Sequence, residues 1–354
     1  MQEKNINSVV LLPSYQPEET LVALSKALAG HGFKVLIVDD GSGEKFSNIF
    51  ETCKEWSTVI GYEKNKGKGF ALKHGYKYIL ENFSDSDCVI TADGDGQHRI
   101  QDILRVYEKC IERKISVISE RKFDVKVPLK SKLGNDLSRF TQALSTYRYM
   151  RDNQCGLRAF PISILPQMVK IRGDRYEYEM RVITYLQLKE IPYVCLSVKT
   201  IYEDGNRTTH FRPILDTLLI QGSILASGLI NVLTFIVGVL TASLLYYFVF
   251  RKGGAAPVVV DYELSVLIAS PVMLIFHLIC SAIIHRPINF SKTILRLVLY
   301  QLLELISVLI TVSFFCRIYN FTIFGAYFLC LPLIMFPLYY LTKGIGLVYN
   351  SQVE

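Results

Sequence analysis

The chain has 354 residues, half of them hydrophobic, and a formal net charge of +7. That length admits one α/β domain with its own core plus a second region. The basic excess is too small to point to nucleic acid, but it suits a surface lying against anionic lipid.

Charge is unevenly spread: from Thr217 onward the chain holds only 7 of its 39 Lys and Arg and 4 of its 32 Asp and Glu. A charged N-terminal part therefore precedes an apolar C-terminal part. The 8 cysteines include no C-x-x-C pair and no Cys/His cluster of zinc spacing, which reads as free thiols in a reducing compartment. Met1–Asn7 is polar and leads straight into a strand pattern, so no signal peptide is expected and the N-terminal part should stay in the cytoplasm.

Apolar runs at Val9–Leu12, Val35–Val38, Val59–Tyr62, Val89–Thr91 and Ser116–Ile118 alternate with helical stretches such as Glu18–Ala29, Lys68–Leu80 and Ile103–Ile111. This alternation predicts βαβ units and a mostly parallel sheet. Ligands bind such sheets beyond the carboxyl ends of the strands. Those ends carry Pro13-Ser14-Tyr15, Asp39-Asp40-Gly41-Ser42 and Asp93-Gly94-Asp95.

Asp39 and Asp40 are candidates to accept hydrogen bonds from a ribose or a base, although Asp-Gly is also an ordinary turn signal. Asn65-Lys66-Gly67-Lys68-Gly69 opens a helix, where glycines, lysines and a helix N-terminus could meet an anion. Neither a Walker A loop nor G-x-G-x-x-G is present, which argues against a dinucleotide dehydrogenase. The strongest local signal is Thr91-Ala92-Asp93-Gly94-Asp95-Gly96-Gln97-His98. Two carboxylates flanking one small residue after a buried strand suit Mg²⁺ or Mn²⁺, which take oxygen ligands and share them with a diphosphate.

Within 130–151, Leu133, Leu137, Phe140, Leu144 and Tyr147 fall on one helical face, with Lys130, Lys132, Arg139, Arg148 and Arg151 as a basic complement. The pattern fits a helix lying on a membrane or one packed on the sheet. Residues 210–220 lead into the first of four apolar segments, roughly Ala226–Phe250, Leu264–Ile284, Ile294–Cys316 and Phe321–Leu341. Each approaches or exceeds the ~20 residues of a membrane-crossing helix. Glu304 and His277 lie within spans, where ionisable groups are costly; they read as a packing pair or as functional groups.

The ordered set Pro13-Ser14-Tyr15, Val38-Asp39-Asp40-Gly41-Ser42, Asn65-Lys66-Gly67-Lys68-Gly69, Ala92-Asp93-Gly94-Asp95-Gly96-Gln97-His98 and Asp152-Asn153-Gln154-Cys155-Gly156-Leu157-Arg158 resembles glycosyltransferase family 2 over about Ser8 to Arg212. Within that family it is similar to the polyprenyl-phosphate branch. The Gly-Lys-Gly form, Arg175-Tyr176-Glu177-Tyr178-Glu179-Met180 and Thr209-His210-Phe211 look most like bacterial chains that fuse this enzyme to a GtrA-like membrane domain.

The resemblance implies a GT-A-like α/β domain over 1–208, an interfacial helix over 209–224 and a four-helix transmembrane domain over 225–354. It implies a membrane-bound enzyme that moves a sugar from a GDP- or UDP-sugar to undecaprenyl or dolichyl phosphate by metal-dependent direct displacement, with homo-oligomerisation left open. By resemblance, Pro13, Tyr15 and Asp39 or Asp40 hold the nucleoside, with Lys66, Gly94, Arg207 and Arg212 also on the nucleotide sugar. Asp93, Asp95 and Gln97 serve the metal and diphosphate. Arg121, Lys130, Lys132 and Gly156 border the acceptor phosphate, and Asp95, Arg121 and Arg158 carry the catalytic roles.

A processive polysaccharide synthase would need Q-x-x-R-W, but the only tryptophan is Trp56. The remaining alternative is a flippase or binding protein for lipid-linked sugars with a subsidiary transferase domain, which the intact D-x-D argues against.

Overall fold

The computed structural model describes residues 6–121, 150–199, 212–250, 261–285 and 290–318, with scattered positions between 138 and 148 and between 322 and 326. The N-terminal part builds β1 (Ser8–Ser14), α1 (Thr20–Gly30), β2 (Lys34–Asp39), α2 (Ser47–Cys53), β3 (Thr58–Gly61), α3 (Lys68–Asn82), β4 (Cys88–Thr91), α4 (Ile100–Arg113) and β5 (Ser116–Arg121). It continues through β6 (Arg158–Pro161), α5 (Glu177–Leu188) and β7 (Tyr193–Val198). One seven-stranded sheet results, in the order β3-β2-β1-β4-β6-β5-β7. The pairs β1/β2, β1/β4, β2/β3 and β5/β7 are parallel, whereas β6 runs antiparallel to both β4 and β5. The expected α/β architecture with a mostly parallel sheet is what forms.

Apolar side chains alternate across the strands because successive residues point to opposite faces. Val10, Leu12, Val35, Ile37 and Ile90 enter one core, while Val9, Leu11, Leu36, Val38 and Val89 enter the other. Helices α1 and α4 supply Leu21, Leu24, Ile103 and Val106 to the first; α3 and α5 supply Leu72, Ile79, Val182 and Ile183 to the second. Both faces of the sheet are therefore covered, which explains strands that read as continuous apolar runs. Helix α3 rides directly on β1, where a side chain at Gly75 would collide with Leu11.

Helix α6 (Pro213–Ser227) folds back on the α/β part: Ile220 and Ile224 are buried against Met180 of α5 and Tyr176 just before it. Its other side exposes Leu215, Leu218 and Leu219. The first apolar span was expected from Ala226. The helix breaks instead at Gly228, which lies against Ser145 with no room for a side chain, and α7 begins at Leu229. Among the described residues three helices are long and apolar enough to cross a membrane: Leu229–Phe250, which opens with α7, then Asp261–Ile284, which opens with α8 (Asp261–Cys280), and Leu297–Cys316 within α9 (Phe290–Ile318). The fourth expected span, Phe321–Leu341, lies almost wholly outside the described residues.

Between these helices Phe235, Val239, Val266, Ala269, Val308 and Val312 form a separate core. All exposed large apolar side chains among the described residues fall from Leu215 onward, as expected for faces meeting hydrocarbon rather than water. His277 is 3% exposed, and its Nδ1 lies 3.2 Å from Thr234 Oγ1. It is thus a hydrogen-bonded packing residue between α7 and α8, paired with Thr234.

In the 130–151 stretch, Leu133, Leu137, Phe140, Leu144 and Tyr147 lie outside the described residues, as do Lys130 and Lys132. The described positions pack on protein through polar groups. Gln142 donates to Gln187 Oε1 at 2.6 Å and to Thr184 Oγ1 at 3.1 Å, and Ser138 accepts from Asn153 at 3.2 Å. Arg148, expected on a basic membrane-facing side, is instead buried against the Glu190 carboxylate. Burial of an arginine requires such a partner.

Candidate active site

The carboxyl ends of β1, β2 and β4 open into a cleft of about 510 Å³, within the range of small-molecule sites. Pro13, Tyr15, Asp40, Asp93, Gly94, Asp95, Gln97 and Arg212 line it, together with Lys68, Arg175, Tyr176 and Glu179.

Hydrogen bonds tie the strand-end motifs into one unit. Asp39 Oδ1 accepts from the Ser42 backbone at 2.8 Å, and Ser42 Oγ accepts from the Gln16 backbone at 2.8 Å. Asp40 is 3% exposed and clasps the 65–67 loop. Its carboxylate accepts from Tyr62 Oη at 2.7 Å, Asn65 Nδ2 at 3.0 Å, Lys66 N at 2.8 Å and Gly67 N at 2.9 Å. With those donors already satisfied by protein, Asp40 holds the loop, and of the pair it is Asp40 that borders the cleft, while Asp39 caps the Ser42 turn.

That loop presents Lys68, not Lys66, to the cleft. Gly67 takes φ +99°. Lys66 Nζ lies over the rings of Tyr62 and Phe70 at 5.1 and 4.5 Å, outside the cleft lining. Lys68 Nζ reaches Asp93 Oδ1 at 2.6 Å and Glu179 Oε2 at 2.8 Å. Burial works against charge on both partners. The paired charges outweigh it, holding the Asp93 carboxyl well below its ordinary range and the Lys68 ammonium well above.

Asp93 also faces His98, whose Nε2 is 3.6 Å from Oδ2. The antiparallel register pairs Thr91 with Arg158, which puts Asp93 opposite Gly156. A β-carbon at Gly156 would fall 3.0 Å from the Asp93 carboxyl carbon, and Thr91 Oγ1 donates to the Gly156 carbonyl at 3.1 Å. Gly156 therefore makes room for the Asp93 carboxylate. Burial, and then the charge of Asp93, push the Asp95 carboxyl up; its Oδ1 accepts from the Gln97 backbone at 3.0 Å. Among the described residues no three His, Cys, Asp or Glu side chains converge as a complete metal cage. Two crowded carboxylates nevertheless fit a hard cation that completes its shell with ligand oxygens and water.

Two expected arginines are engaged elsewhere. Arg158 is 2% exposed and donates to the carbonyls of Cys155 at 3.0 Å and Glu179 at 2.7 Å. It braces the wall and does not enter the cleft. Arg121 forms a two-pronged pair with buried Asp152, Nε to Oδ2 at 2.6 Å and Nη2 to Oδ1 at 3.0 Å. Lys130, Lys132 and Arg207 lie outside the described residues. Lys68, Arg175 and Glu179 were not singled out as site residues in the sequence, although all three stand within motifs recognised there.

The model of Glycosyl transferase family 2 matches residues 9–168. Over 221 residues the chain is 31% identical to an uncharacterized protein of Methanocaldococcus jannaschii, covering 57% of this chain and 87% of that one. The chain belongs to glycosyltransferase family 2. This glycosyltransferase is also 31% identical, over 221 residues, to the UDP-N-acetylglucosamine–dolichyl-phosphate N-acetylglucosaminyltransferase of Methanococcus voltae, covering 55% of this chain and 86% of the relative. It is 28% identical, over 176 residues, to an undecaprenyl-phosphate 4-deoxy-4-formamido-L-arabinose transferase of Pseudomonas aeruginosa, covering 46% and 49%. In three dimensions the glycosyltransferase is similar to glucosyl-3-phosphoglycerate synthase from Mycobacterium tuberculosis in complex with Mn²⁺, UDP and phosphoglyceric acid. The TM-score is 0.46, with 15% identity over 62% of this chain and 76% of that one.

Proposed function

We propose that the protein transfers a sugar from a nucleoside-diphosphate donor to a polyprenyl phosphate at the cytoplasmic face of a membrane. The observation that carries this reading is the continuity of the cleft with the membrane-leading helix: Asp93 and Asp95 line one part of the wall, and Arg212, at the start of α6, lines another. The names of the Methanococcus voltae and Pseudomonas aeruginosa relatives, each specifying a lipid-phosphate acceptor, support the same reading. The apolar helices support a GtrA-like membrane part fused to the transferase, with the expected division at 224/225 moved to Gly228, where α6 ends. His277, buried and hydrogen-bonded to Thr234, is read as a packing residue of the bundle.

In this reading Pro13 and Tyr15, which line the cleft, receive the nucleoside together with Asp39, in register with Ser14 at the end of β2, and Gly94 lets the donor approach the strand end closely. Asp93 and Asp95 would hold Mg²⁺ or Mn²⁺, with Gln97 alongside, and the ion when bound supplies neutralisation of charge on the departing diphosphate. Lys68 keeps Asp93 ionised and fixed. The acceptor phosphate is already an anion at neutral pH, so the protein need not remove a proton from it. One phosphate oxygen forms the bond to the anomeric carbon while the bond from that carbon to the nucleoside diphosphate breaks, and the diphosphate leaves with the electron pair. Positioning, charge neutralisation and exclusion of water are then the enzyme's work.

The test is to incubate the full-length protein with labelled GDP- and UDP-sugars and undecaprenyl or dolichyl phosphate, with and without a chelator. A labelled lipid product that disappears with chelator and with Asp95→Ala is expected. Transfer from no donor, or undiminished metal-dependent transfer by Asp95→Ala, overturns the reading.

A further inference from the structure

The helix that leads toward the membrane contributes a buried charge to the rim of the catalytic cleft. Asp216, in the first turn of α6, is 1% exposed. Its Oδ1 accepts from Arg175 Nε at 3.0 Å, and its Oδ2 accepts from the Arg212 backbone N–H at 2.7 Å. The Arg212 guanidinium lies 3.7 Å from Oδ1. Arg175 and Arg212 both line the cleft, yet they come from segments well apart in the chain, one before α5 and one before α6.

Left to themselves two guanidinium groups at this spacing would repel, and one carboxylate between them removes that penalty while leaving a net positive rim. The pairing also sets their orientation. Arg175 meets Asp216 through Nε, and among the described residues its Nη groups have no protein partner. A planar face of N–H donors is therefore available, the geometry that suits a phosphate. Two other arginines expected at the site, neither of them lining the cleft, are already engaged: Arg121 is locked onto Asp152, and Arg158 onto backbone carbonyls. The cleft wall nearest α6, which runs on through Gly228 into α7, is where a headgroup still attached to a bilayer would arrive.

We propose that Arg175 and Arg212 form the subsite for the acceptor's phosphate, and that Asp216 is the positioning residue that holds them. This rests on the polyprenyl-phosphate reading above. The donor diphosphate offers the same chemistry, so the experiment separates the two sources. In the full-length protein, Asp216→Asn and Arg175→Gln are assayed for KM toward polyprenyl phosphate, KM toward the sugar donor, and melting temperature. Acceptor KM should rise about tenfold, the value of one charge-assisted bond, while donor KM stays within about twofold.

An unchanged acceptor KM, or a donor KM that rises as much or more, overturns the assignment even when the wild type makes lipid-linked sugar. If Asp216→Asn does not fold, Arg212→Gln at the exposed rim carries the test, with an acceptor KM raised about threefold, and no rise counts against it. A wild type that transfers to no polyprenyl phosphate overturns the functional reading, and this assignment with it.

Discussion

A β-carbon on Gly156 would lie 2.5 Å from Oδ2 of Asp93. The absence of a side chain at one position thus fixes where the carboxylate of another can rest. Because β6 carries Gly156 to that point in antiparallel register, Gly156→Ala must displace Asp93 or bend the strand end. A shift of about 1 Å in a reacting geometry costs on the order of a hundredfold in rate. Gly156→Ala should therefore lose about that much kcat/KM while its melting temperature changes little. Full activity in this variant would show that Asp93 does not need its present position.

The two lysines of the 65–69 loop should behave differently. Lys68→Met leaves Asp93 and Glu179 facing each other without their shared cation. Lys68 fixes the Asp93 carboxylate, and a shift of about 1 Å in a reacting geometry costs on the order of a hundredfold, so transfer should fall by about that much. Lys66→Met removes only a contact over two rings, worth about 0.5–1 kcal/mol at an exposed site. Initial rates for the two variants decide the matter, and equal losses would contradict the assignment of Lys68 to the cleft.

Asp40 should matter to stability more than to chemistry. Asp40→Ala orphans the N–H groups of Lys66 and Gly67 and the hydroxyl of Tyr62. Each buried donor left unpaired costs roughly 1–3 kcal/mol, so a clear drop in melting temperature is expected. A variant that melts with the wild type would mean the clasp is dispensable.

The Arg121–Asp152 pair carries a pH signature. Burial alone would raise the Asp152 carboxyl, but the Arg121 guanidinium and its hydrogen bonds hold it below the ordinary carboxylate range. A folded-state value below the unfolded one stabilises the protein fully above the ordinary value of about 3.9, and that contribution is lost as pH falls toward the folded value. Arg121→Met should thus be markedly less stable than wild type near neutrality. The gap should narrow once the pH drops below about 4. Denaturation of both proteins across that range measures it, and a gap independent of pH would rule out the pair as its source.

Much of this was legible in the amino-acid order. The buried strands stand out as apolar runs, and Asp93 and Asp95 follow one of them, so the position of the cleft is legible in the sequence. Strand β6 was not legible: Arg158–Pro161 begins with a charge and ends with proline, and it is a strand only because β4 and β5 flank it. Arg158 looked like a ligand because arginine in a motif suggests an anion, whereas burial turned it onto carbonyls. The choice between Lys66 and Lys68 depended on the positive φ of Gly67. The role of Asp216 required α6 to fold back on α5, a long-range contact that local patterning does not encode.

The late arrival of β6 has a consequence for how the molecule is made. It reaches the sheet after β5 in synthesis yet lies between β4 and β5. A chain emerging from the ribosome can pair β1 with β2 and β4, and β2 with β3, early, but β5 has no neighbour to zip against until Arg158 is out. The edge of β4, which ends at Thr91, stays open in translation through the 66 residues that separate it from Arg158, and only then does the strand end beside Asp93 gain its antiparallel neighbour.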